Sequence, residues 1–365
     1  SNDAHTGKRI LILLTIAWLP LVVLTAIDGS LFATDITMPF IKDAVPYVRG
    51  LIVIPLFVMA DNIIEPMMSS VVKYLKTSGI VPESEQTRLH NNVDRMARLI
   101  NAKWIQVMLV ILAIVVTWLL QADYVDMWKE KGVTSWALQM DGSDVDPTIA
   151  GTWYLLVTSP IVSFLLYRWI WRFIGWTMFL YRVSGMKLEL YASHTDLAGG
   201  LGMIGTGQAL FGIVFLIMAS LISSELANNI LYEGEKLVSV KEVVLVFVVL
   251  SIVVIAIPLL FFSRKLLNLK RKALAEYGAL QHQISRDFHR HWFDDDGKDL
   301  VDSAQPSAMA DYSAVYEIVS TMRVVPLTPK VIMYLTGLIL LPFLPLALTE
   351  SSIWDVLQMI GSSLL

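Results

Sequence analysis

Seven apolar stretches of membrane-spanning length constrain this chain more than any other feature of its sequence. They lie at about 10–27, 51–74, 104–120, 151–168, 201–226, 243–262 and 331–348. A helix rises 1.5 Å per residue, so about 20 residues cross the roughly 30 Å of hydrocarbon in a bilayer. Backbone polar groups in hydrocarbon must be bonded within the protein, which favours helices for uninterrupted apolar runs. The sequence therefore predicts an all-α, polytopic transmembrane helical bundle with about seven spans.

The composition agrees with this fold class and argues against several functions. Charged residues make up 16% of the 365 residues, whereas an ordinary soluble domain contains about 25%. The net charge of −4 argues against nucleic acid as a partner. The chain contains no cysteine, so disulfides and cysteine nucleophiles are excluded. Gly200-Leu201-Gly202-Met203-Ile204-Gly205 matches the dinucleotide fingerprint, but a predicted transmembrane helix follows it and no βαβ unit surrounds it. Because no catalytic spacing is present either, we predict no cofactor and lean against an enzyme.

Lysine and arginine are distributed unevenly between the segments that separate the apolar stretches. If the N-terminus is cytoplasmic, 22 of the 28 basic residues fall in the inner segments, which are the N-terminus, 73–103, 168–187 and 264–330. Cytoplasmic segments of membrane proteins carry the excess of Lys and Arg, so we predict an inner N-terminus and an outer C-terminus. The predicted parts are a bundle of six spans (1–263), a cytoplasmic helical segment (264–328), and a last span with an interfacial amphipathic tail (329–365).

Two carboxylates interrupt the second apolar stretch. Asp61 and Glu65 are spaced at i and i+4, so they lie on one face of a helix. Counted from Gly50, Asp61 lies about 17 Å into the membrane, close to the midplane. A carboxylate at such a depth is by default a candidate for an ion or proton pathway. The alternatives are a buried ion pair with an arginine such as Arg168 or Arg172, or a carboxyl that stays protonated.

An arginine belt follows the fourth stretch and consists of Arg168, Arg172 and Arg182. Tryptophans and tyrosines are interspersed with these arginines, and such amphipathic rings favour the depth of the lipid headgroups. We therefore predict that the belt marks the inner boundary of the membrane.

A polar turn rich in glycine precedes the fifth stretch and contains His194, Asp196, Gly199, Gly200 and Gly202. The amides of such a turn and the start of a helix can bind an ion or a headgroup phosphate. The plainer interpretations are close helix packing at the glycines and an N-cap role for Asp196, which we favour. A histidine here can carry a proton or bind a metal, and a hydrogen-bonded structural role for His194 is the alternative.

Three segments carry a resemblance to other proteins. They are Tyr167-Arg168-Trp169-Ile170-Trp171-Arg172, then His194-x-Asp196-x-Ala198-Gly199-Gly200-Leu201-Gly202, and Tyr316-Glu317-x-Val319 with Met322-Arg323-x-Val325-Pro326. In these the chain resembles an uncharacterised family of bacterial multi-pass inner-membrane proteins, whose relatives commonly have proline where this chain has Thr195. The resemblance covers about the C-terminal half and the general layout of the first half. It implies the multi-pass architecture and the bacterial inner (plasma) membrane, and no particular activity.

These features together favour a channel- or transporter-like protein. In this hypothesis Asp61 and Glu65 line a path for an ion or a small solute, which the arginine belt and the polar turn close on the inner side. The alternatives are a lipid-binding protein or enzyme acting at the inner-leaflet headgroups, and a scaffold or sensor that docks a cytoplasmic partner. As partners we expect the lipid bilayer, the ion or solute, and further copies of this chain in a homo-oligomer.

Overall fold

The chain is helical over nearly all of the residues that the computed structural model describes, which are 2–131, 134–141, 144–232, 237–294 and 304–347. The helices are α1 (Asn2–Ala17), α2 (Leu19–Ile27), α3 (Ala44–Tyr47), α4 (Ile54–Thr77), α5 (Glu83–Ile100), α6 (Lys103–Lys131), α7 (Ile149–Trp153), α8 (Ser159–Ser184), α9 (Gly202–Ala209), α10 (Gly212–Tyr232), α11 (Leu237–Leu260), α12 (Ser263–His289), α13 (Ala304–Thr321), α14 (Pro329–Leu340) and α15 (Leu344–Ala347). Strands β1 (Leu138–Asp141) and β2 (Asp144–Pro147) pair antiparallel, with Leu138 opposite Pro147. The predicted all-α fold class is confirmed.

Seven helical segments are long and apolar enough to cross a membrane, as the sequence predicts. The first to seventh spans are His5–Ile27, Ala44–Thr77, Lys103–Leu120, Ile149–Ser184, Gly202–Tyr232, Ser239–Leu260 and Pro329–Leu346. The second and fourth have 34 and 36 residues, or about 51 and 54 Å of helix, and so exceed the thickness of the hydrocarbon. The orientation in the membrane stays a prediction, and the predicted interfacial tail lies outside the described residues.

The second span begins earlier than the sequence predicts, at Ala44. Asp43 caps this start because its side chain accepts a hydrogen bond from the backbone N–H of Val45 at 2.9 Å. A π-helical turn, Val48–Val53, then joins α3 to α4 without a break. A Cβ on Gly50 would lie 2.4 Å from the ring of Trp18, so the close contact between the first two spans requires glycine there.

The fifth span is divided into α9 and α10, which meet at Leu210 and Phe211. Just before this division, Gln208 is fully buried and bridges two other spans. It accepts a hydrogen bond from Trp176 Nε1 at 3.0 Å and donates to the carbonyl of Ile255 at 2.9 Å. A buried amide is stable only when its polar atoms are paired, so Gln208 fixes where the fourth and sixth spans lie against the fifth.

The cytoplasmic segment of the prediction consists of an antiparallel pair of helices, α12 and α13. The pairing is seen where Tyr277 and Tyr312 stack at 6.1 Å and where Lys270 Nζ donates to the carbonyl of Met322 at 2.6 Å. The beginning of this pair packs into the main core, because Leu266 is fully buried there.

The centre of the bundle is formed by the second, fourth and fifth spans. These have the largest buried shares of the seven, 39%, 33% and 44%. Phe57, Trp169 and Phe211, one from each of these spans, are at most 1% exposed. The third and sixth spans lie outside and expose leucine, isoleucine and valine side chains. Asp61 of the second span and Arg172 of the fourth therefore lie deep within the protein.

Candidate functional site: an ion-pair network between two cavities

Asp61 lies at the centre of a group of ion pairs between the first, second and fourth spans. Its carboxylate accepts hydrogen bonds from Arg172 Nη1 at 2.7 Å, Arg9 Nη2 at 3.3 Å and Arg168 Nη1 at 3.4 Å. Asp61 is 6% exposed and Arg172 is 8% exposed. The ion pair that the sequence left open as an alternative is therefore present, and with both of the arginines named for it.

Glu65, one turn further along α4, bonds to Arg172 Nη2. A single guanidinium thus bridges both carboxylates of the candidate pathway. We call Asp61, Glu65, Arg9, Arg168 and Arg172 the Asp61 network. It has three arginines against two carboxylates, so it carries one positive charge in excess when every member is ionised.

The Asp61 network lies near one end of the first span rather than at its middle. Arg9 directly precedes the apolar run that begins at Ile10, and it contacts Asp61. The expected midplane position was counted from Gly50, whereas the helix begins at Ala44. Asp61 is the 18th of the 34 residues of the second span, so the bounds of that span leave it at the middle, and only the contact with Arg9 places it near the predicted inner boundary.

A groove of about 610 Å³ lies between α4 and α5 and ends at the Asp61 network, where Glu65 and Arg172 line it. We call it the inner groove, because it is on the predicted cytoplasmic side. Its apolar lining comes from both helices and consists of Met68, Val72, Val93, Met96, Ala97 and Ile100. Its polar lining consists of Ser69, Lys73, Lys76, Thr77 and Asn101. The groove is thus amphipathic and more basic than acidic.

Phe57 and Trp169 lie on the other side of the network. Both are 1% exposed, and Trp169 Nε1 donates to the carbonyl of Phe57 at 3.3 Å. The guanidinium carbon of Arg172 lies 4.9 Å from the centroid of the Trp169 ring, a cation–π contact. These two aromatic side chains form a dry barrier one turn beyond Asp61.

A second buried polar cluster, which the sequence did not predict, surrounds Asp43 at the opposite end of these spans. Besides the amide of Val45, Asp43 accepts hydrogen bonds from Trp136 Nε1 and Asn228 Nδ2, each at 2.8 Å. Burial raises the pKa of Asp43, and these hydrogen bonds only partly offset that effect. The partners come from positions 93 and 185 residues away, so no local spacing in the sequence indicates them.

Arg49 extends this cluster across three spans. Its Nη2 donates to Glu225 Oε1 at 2.8 Å and its Nη1 to Ser159 Oγ at 3.2 Å. Its guanidinium lies 5.5 Å from the centroid of the Tyr154 ring. Arg49 therefore ties the second, fourth and fifth spans together on the predicted outer side.

A cavity of about 210 Å³, which we call the outer cavity, lies at this cluster. Asp43, Arg49 and Glu225 line it, and Ser163 lines it deepest along α8. On the same helix, Arg172 lines the inner groove. Positions 163 and 172 are about 13 Å apart along a helix. The two cavities thus lie towards opposite ends of these spans. Ser163 and Arg172 are half a turn apart around α8, on opposite faces of that helix, and Trp169 lies at a level between them.

In the polar turn before the fifth span, the Asp196 carboxylate bonds to the backbone amides that the sequence offered as a binding site for an external ion. Asp196 accepts hydrogen bonds from the backbone N–H groups of Ala198 at 2.8 Å, Gly200 at 3.1 Å and Gly202 at 2.7 Å. Although burial opposes the effect, these three bonds lower the pKa of Asp196. An ion or a headgroup phosphate would have to displace this carboxylate to reach the amides.

The expected N-cap role of Asp196 needs a correction. The N-cap residue of α9 is Leu201, because the helix begins at Gly202. Asp196 nevertheless bonds the first helical amide from six positions earlier. The glycines before the helix make this possible, since Gly199 and Gly200 have φ values of +66° and +97°, which favour glycine.

Contacts from other elements also hold the turn in place. Arg323 Nη2 donates to the carbonyl of Asp196 at 2.6 Å, and the Tyr74 hydroxyl donates to the carbonyl of Gly200 at 3.0 Å. His194 Nδ1 lies 2.9 Å from Asp196 Oδ1, and the histidine side chain is 43% exposed. His194 lines neither of the two cavities. These contacts support a structural role for the turn.

Arg182, the third arginine of the predicted belt, does not join the Asp61 network. It lies ten positions after Arg172 on α8, about 15 Å further along the helix. The described residues also contain no group of three or more His, Asp and Glu side chains arranged to hold a metal ion.

The chain matches no protein-family model, no curated protein and no solved structure. The resemblance to an uncharacterised bacterial family therefore stays a prediction. Any function has to be argued from the network and the two cavities.

Proposed function

We propose that this protein is a channel- or transporter-like membrane protein that moves an ion or a small polar solute between the outer cavity and the inner groove. The observation that carries the proposal is the placement of the two cavities. Ser163 and Arg172, which line the outer cavity and the inner groove, are about 13 Å apart along the axis of α8 and on opposite faces of it. A charged network lies at the inner end of this interval.

The barrier between the cavities is thin and lies next to irregular helix. Phe57 and Trp169 are its apolar part, and the π-helical turns Val48–Val53 and Tyr154–Thr158 lie above it in the second and fourth spans. Such turns are weaker than regular α-helix and often occur at functional sites. We infer that a shift of these two spans moves the aromatic pair and joins the cavities.

The charges favour an anion or an anionic solute over a cation. Both carboxylates of the Asp61 network are bonded to Arg172, and the network carries one positive charge in excess when every member is ionised. Lys73 and Lys76 add two positive charges to the inner groove. A basic cavity with apolar walls raises the local concentration of anions.

The proposal is tested by flux into proteoliposomes that contain the purified full chain, with chloride, nitrate, phosphate and potassium as probes. Trp169→Ala removes the larger part of the barrier, so we expect anion flux to rise at least about tenfold, which corresponds to a barrier lowered by about 1.4 kcal/mol. Phe179→Ala is the matched control. Phe179 is also 1% exposed and on α8, but it follows Arg172 by seven positions and therefore does not lie between Ser163 and Arg172.

Two outcomes would contradict the proposal. If folded wild type and folded Trp169→Ala pass none of the probes, the cavities do not form a pathway. If Phe179→Ala raises the flux as much as Trp169→Ala, the leak reflects a loosened bundle and not a local barrier. Selectivity for potassium over the three anions would leave transport in place and overturn the assignment to anions.

A further inference from the structure

The lining of the inner groove changes from charged to apolar and again to basic along α4. Glu65 and Arg172 lie at its deep end, and Lys73 and Lys76 lie at the other. The distance along the helix from position 65 to position 76 is about 16 Å. Val72 and the residues of α5 supply the apolar wall between these two ends. The groove is thus long enough to take both a headgroup and the first part of an acyl chain.

The two lysines at the open end share one face of α4, because they are spaced at i and i+3. Both are exposed. Among the described residues neither forms an ion pair with a carboxylate, unlike Lys272, which pairs with Glu276 at 3.7 Å. The one carboxylate that lines the groove, Glu65, is bonded to Arg172. The charge of the two lysines is therefore available to an external anion.

α5 packs along the part of α8 that carries the predicted arginine belt. At the deep end of the groove, Trp171 Nε1 donates to the carbonyl of Leu99 at 3.2 Å, and a Cβ on Gly175 would lie 2.8 Å from Ile100 Cγ1. Towards the open end, Asn92 Nδ2, next to the groove residue Val93, lies 3.7 Å from Met186 Sδ, four positions after Arg182. The groove thus lies along the arginine belt, which is predicted to mark the headgroup depth of the inner leaflet. Basic pockets between helices at that depth suit phosphate headgroups.

We propose that the inner groove is a binding site for an anionic phospholipid, whose phosphate lies between Lys73 and Lys76 and whose acyl chain lies along Val72, Met96 and Ile100. The site takes its lipid from the leaflet that borders α5. A lipid bound here would share the inner groove with the proposed path. The two proposals are nevertheless tested separately, because lipid binding is measured without any flux.

The test measures binding of phosphatidylglycerol and of phosphatidylcholine to the purified full chain in detergent, by native mass spectrometry. We expect the double variant Lys73→Gln/Lys76→Gln to bind phosphatidylglycerol more than tenfold more weakly, at about fivefold for each lysine. Binding of phosphatidylcholine should not change. Lys187→Gln/Lys272→Gln is the matched control, since both lysines are exposed and lie in predicted inner segments, and it should behave as wild type.

A charge-conserving pair, Lys73→Arg/Lys76→Arg, should keep the affinity for phosphatidylglycerol. If it does, weaker binding by the glutamine pair results from the lost charge and not from replacement of the lysines as such. The proposal is overturned if the glutamine pair binds phosphatidylglycerol as tightly as wild type, or if the arginine pair loses binding. It is also overturned if glycerol phosphate binds as tightly as the lipid, because the groove would then be a site for a soluble anion.

Discussion

Arg172 is the residue on which the centre of the bundle depends most. It bonds to Asp61 and Glu65, and it stacks on Trp169. Removing one partner of a buried ion pair leaves an uncompensated charge, which costs about 3–5 kcal/mol. Arg9 and Arg168 lie further from Asp61, at 3.3 and 3.4 Å, so they replace Arg172 only in part. At the scale of single residues, the fold and the candidate pathway therefore depend on the same guanidinium.

Asp196 gives a prediction that differs from the one its sequence suggests. Asparagine is as good an N-cap as aspartate, but here both carboxylate oxygens accept N–H groups, Oδ1 from two residues and Oδ2 from Gly202. An asparagine would turn its NH₂ group towards one of these donors. We expect Asp196→Asn to cost about 1–2 kcal/mol and Asp196→Ala about 2–3 kcal/mol of the free energy of unfolding, measured by thermal and denaturant unfolding.

The pH dependence provides the control for this prediction. Because the pKa of Asp196 is lowered in the folded protein, its contribution to stability is present above the unfolded value of about 3.9 and is lost as the pH falls through the folded value. The stability difference between wild type and Asp196→Asn should therefore shrink on acidification below about pH 4. A difference that stays constant over this range would show that the carboxylate charge does not contribute.

At the scale of elements, the fifth span is the one most tightly constrained by its neighbours. The carbonyl of Pro326 lies 1.7 Å from the place where a Cβ on Gly205 would be, and Leu335 lies 2.4 Å from that place at Gly212. These contacts confirm that glycines of this span serve close packing, one of the uses that the sequence predicts. They also explain why the last span and the segment before it pack directly against α9 and α10.

Gly205→Ala is therefore expected to destabilise the protein by about 3 kcal/mol or more, because the added methyl meets a backbone carbonyl that cannot move as a side chain can. The measurement is the midpoint of thermal unfolding in detergent. Gly337→Ala is the control, since Gly337 is also helical and nothing lies within 4 Å of its added Cβ. We expect that variant to be neutral or more stable by up to about 1 kcal/mol. Equal losses in both variants would contradict the packing argument.

At the scale of the whole molecule, the polar turn joins the membrane spans to the helix pair α12–α13. Arg323, which follows α13, bonds to the turn through its side chain and through its backbone amide. A Cβ on Gly199 would lie 3.3 Å from Leu266 and Leu269 of α12. A movement of this helix pair would therefore act directly on the start of the fifth span. The exposed apolar faces of the third and sixth spans suit contact with lipid or with another copy of the chain, and the homo-oligomer stays a prediction.

The predicted orientation is tested with single cysteines, which this chain allows because it has none of its own. Thr34→Cys is on the predicted outer side, and Ser84→Cys and Ser313→Cys are on the predicted inner side. All three positions are exposed. An impermeant thiol reagent applied to intact cells should label only Thr34→Cys, and all three should react after the membrane is opened. Labelling of Ser84→Cys or Ser313→Cys from outside would reverse the assignment of the outer cavity and the inner groove.

The sequence by itself determined the fold class and the number of spans. Both follow from the length and the apolar composition of each stretch, because an uninterrupted apolar stretch of spanning length forms a helix in a bilayer. It also determined that Asp61 and Glu65 share a face, since that follows from the helical repeat. The helical character of the segment 264–328 was likewise readable from its local pattern of apolar residues.

Only the tertiary structure decided what those residues contact. The sequence offered Arg168 and Arg172 as partners for Asp61, but the contribution of Arg9 depends on where the first span packs against the second. The cluster of Asp43 with Trp136 and Asn228 unites residues far apart in the chain. The same contact with Arg9 places Asp61 level with the predicted inner end of the first span. Ion pairs, cavities and helix starts of this kind depend on how the spans are placed against one another, and local sequence patterns do not specify that placement.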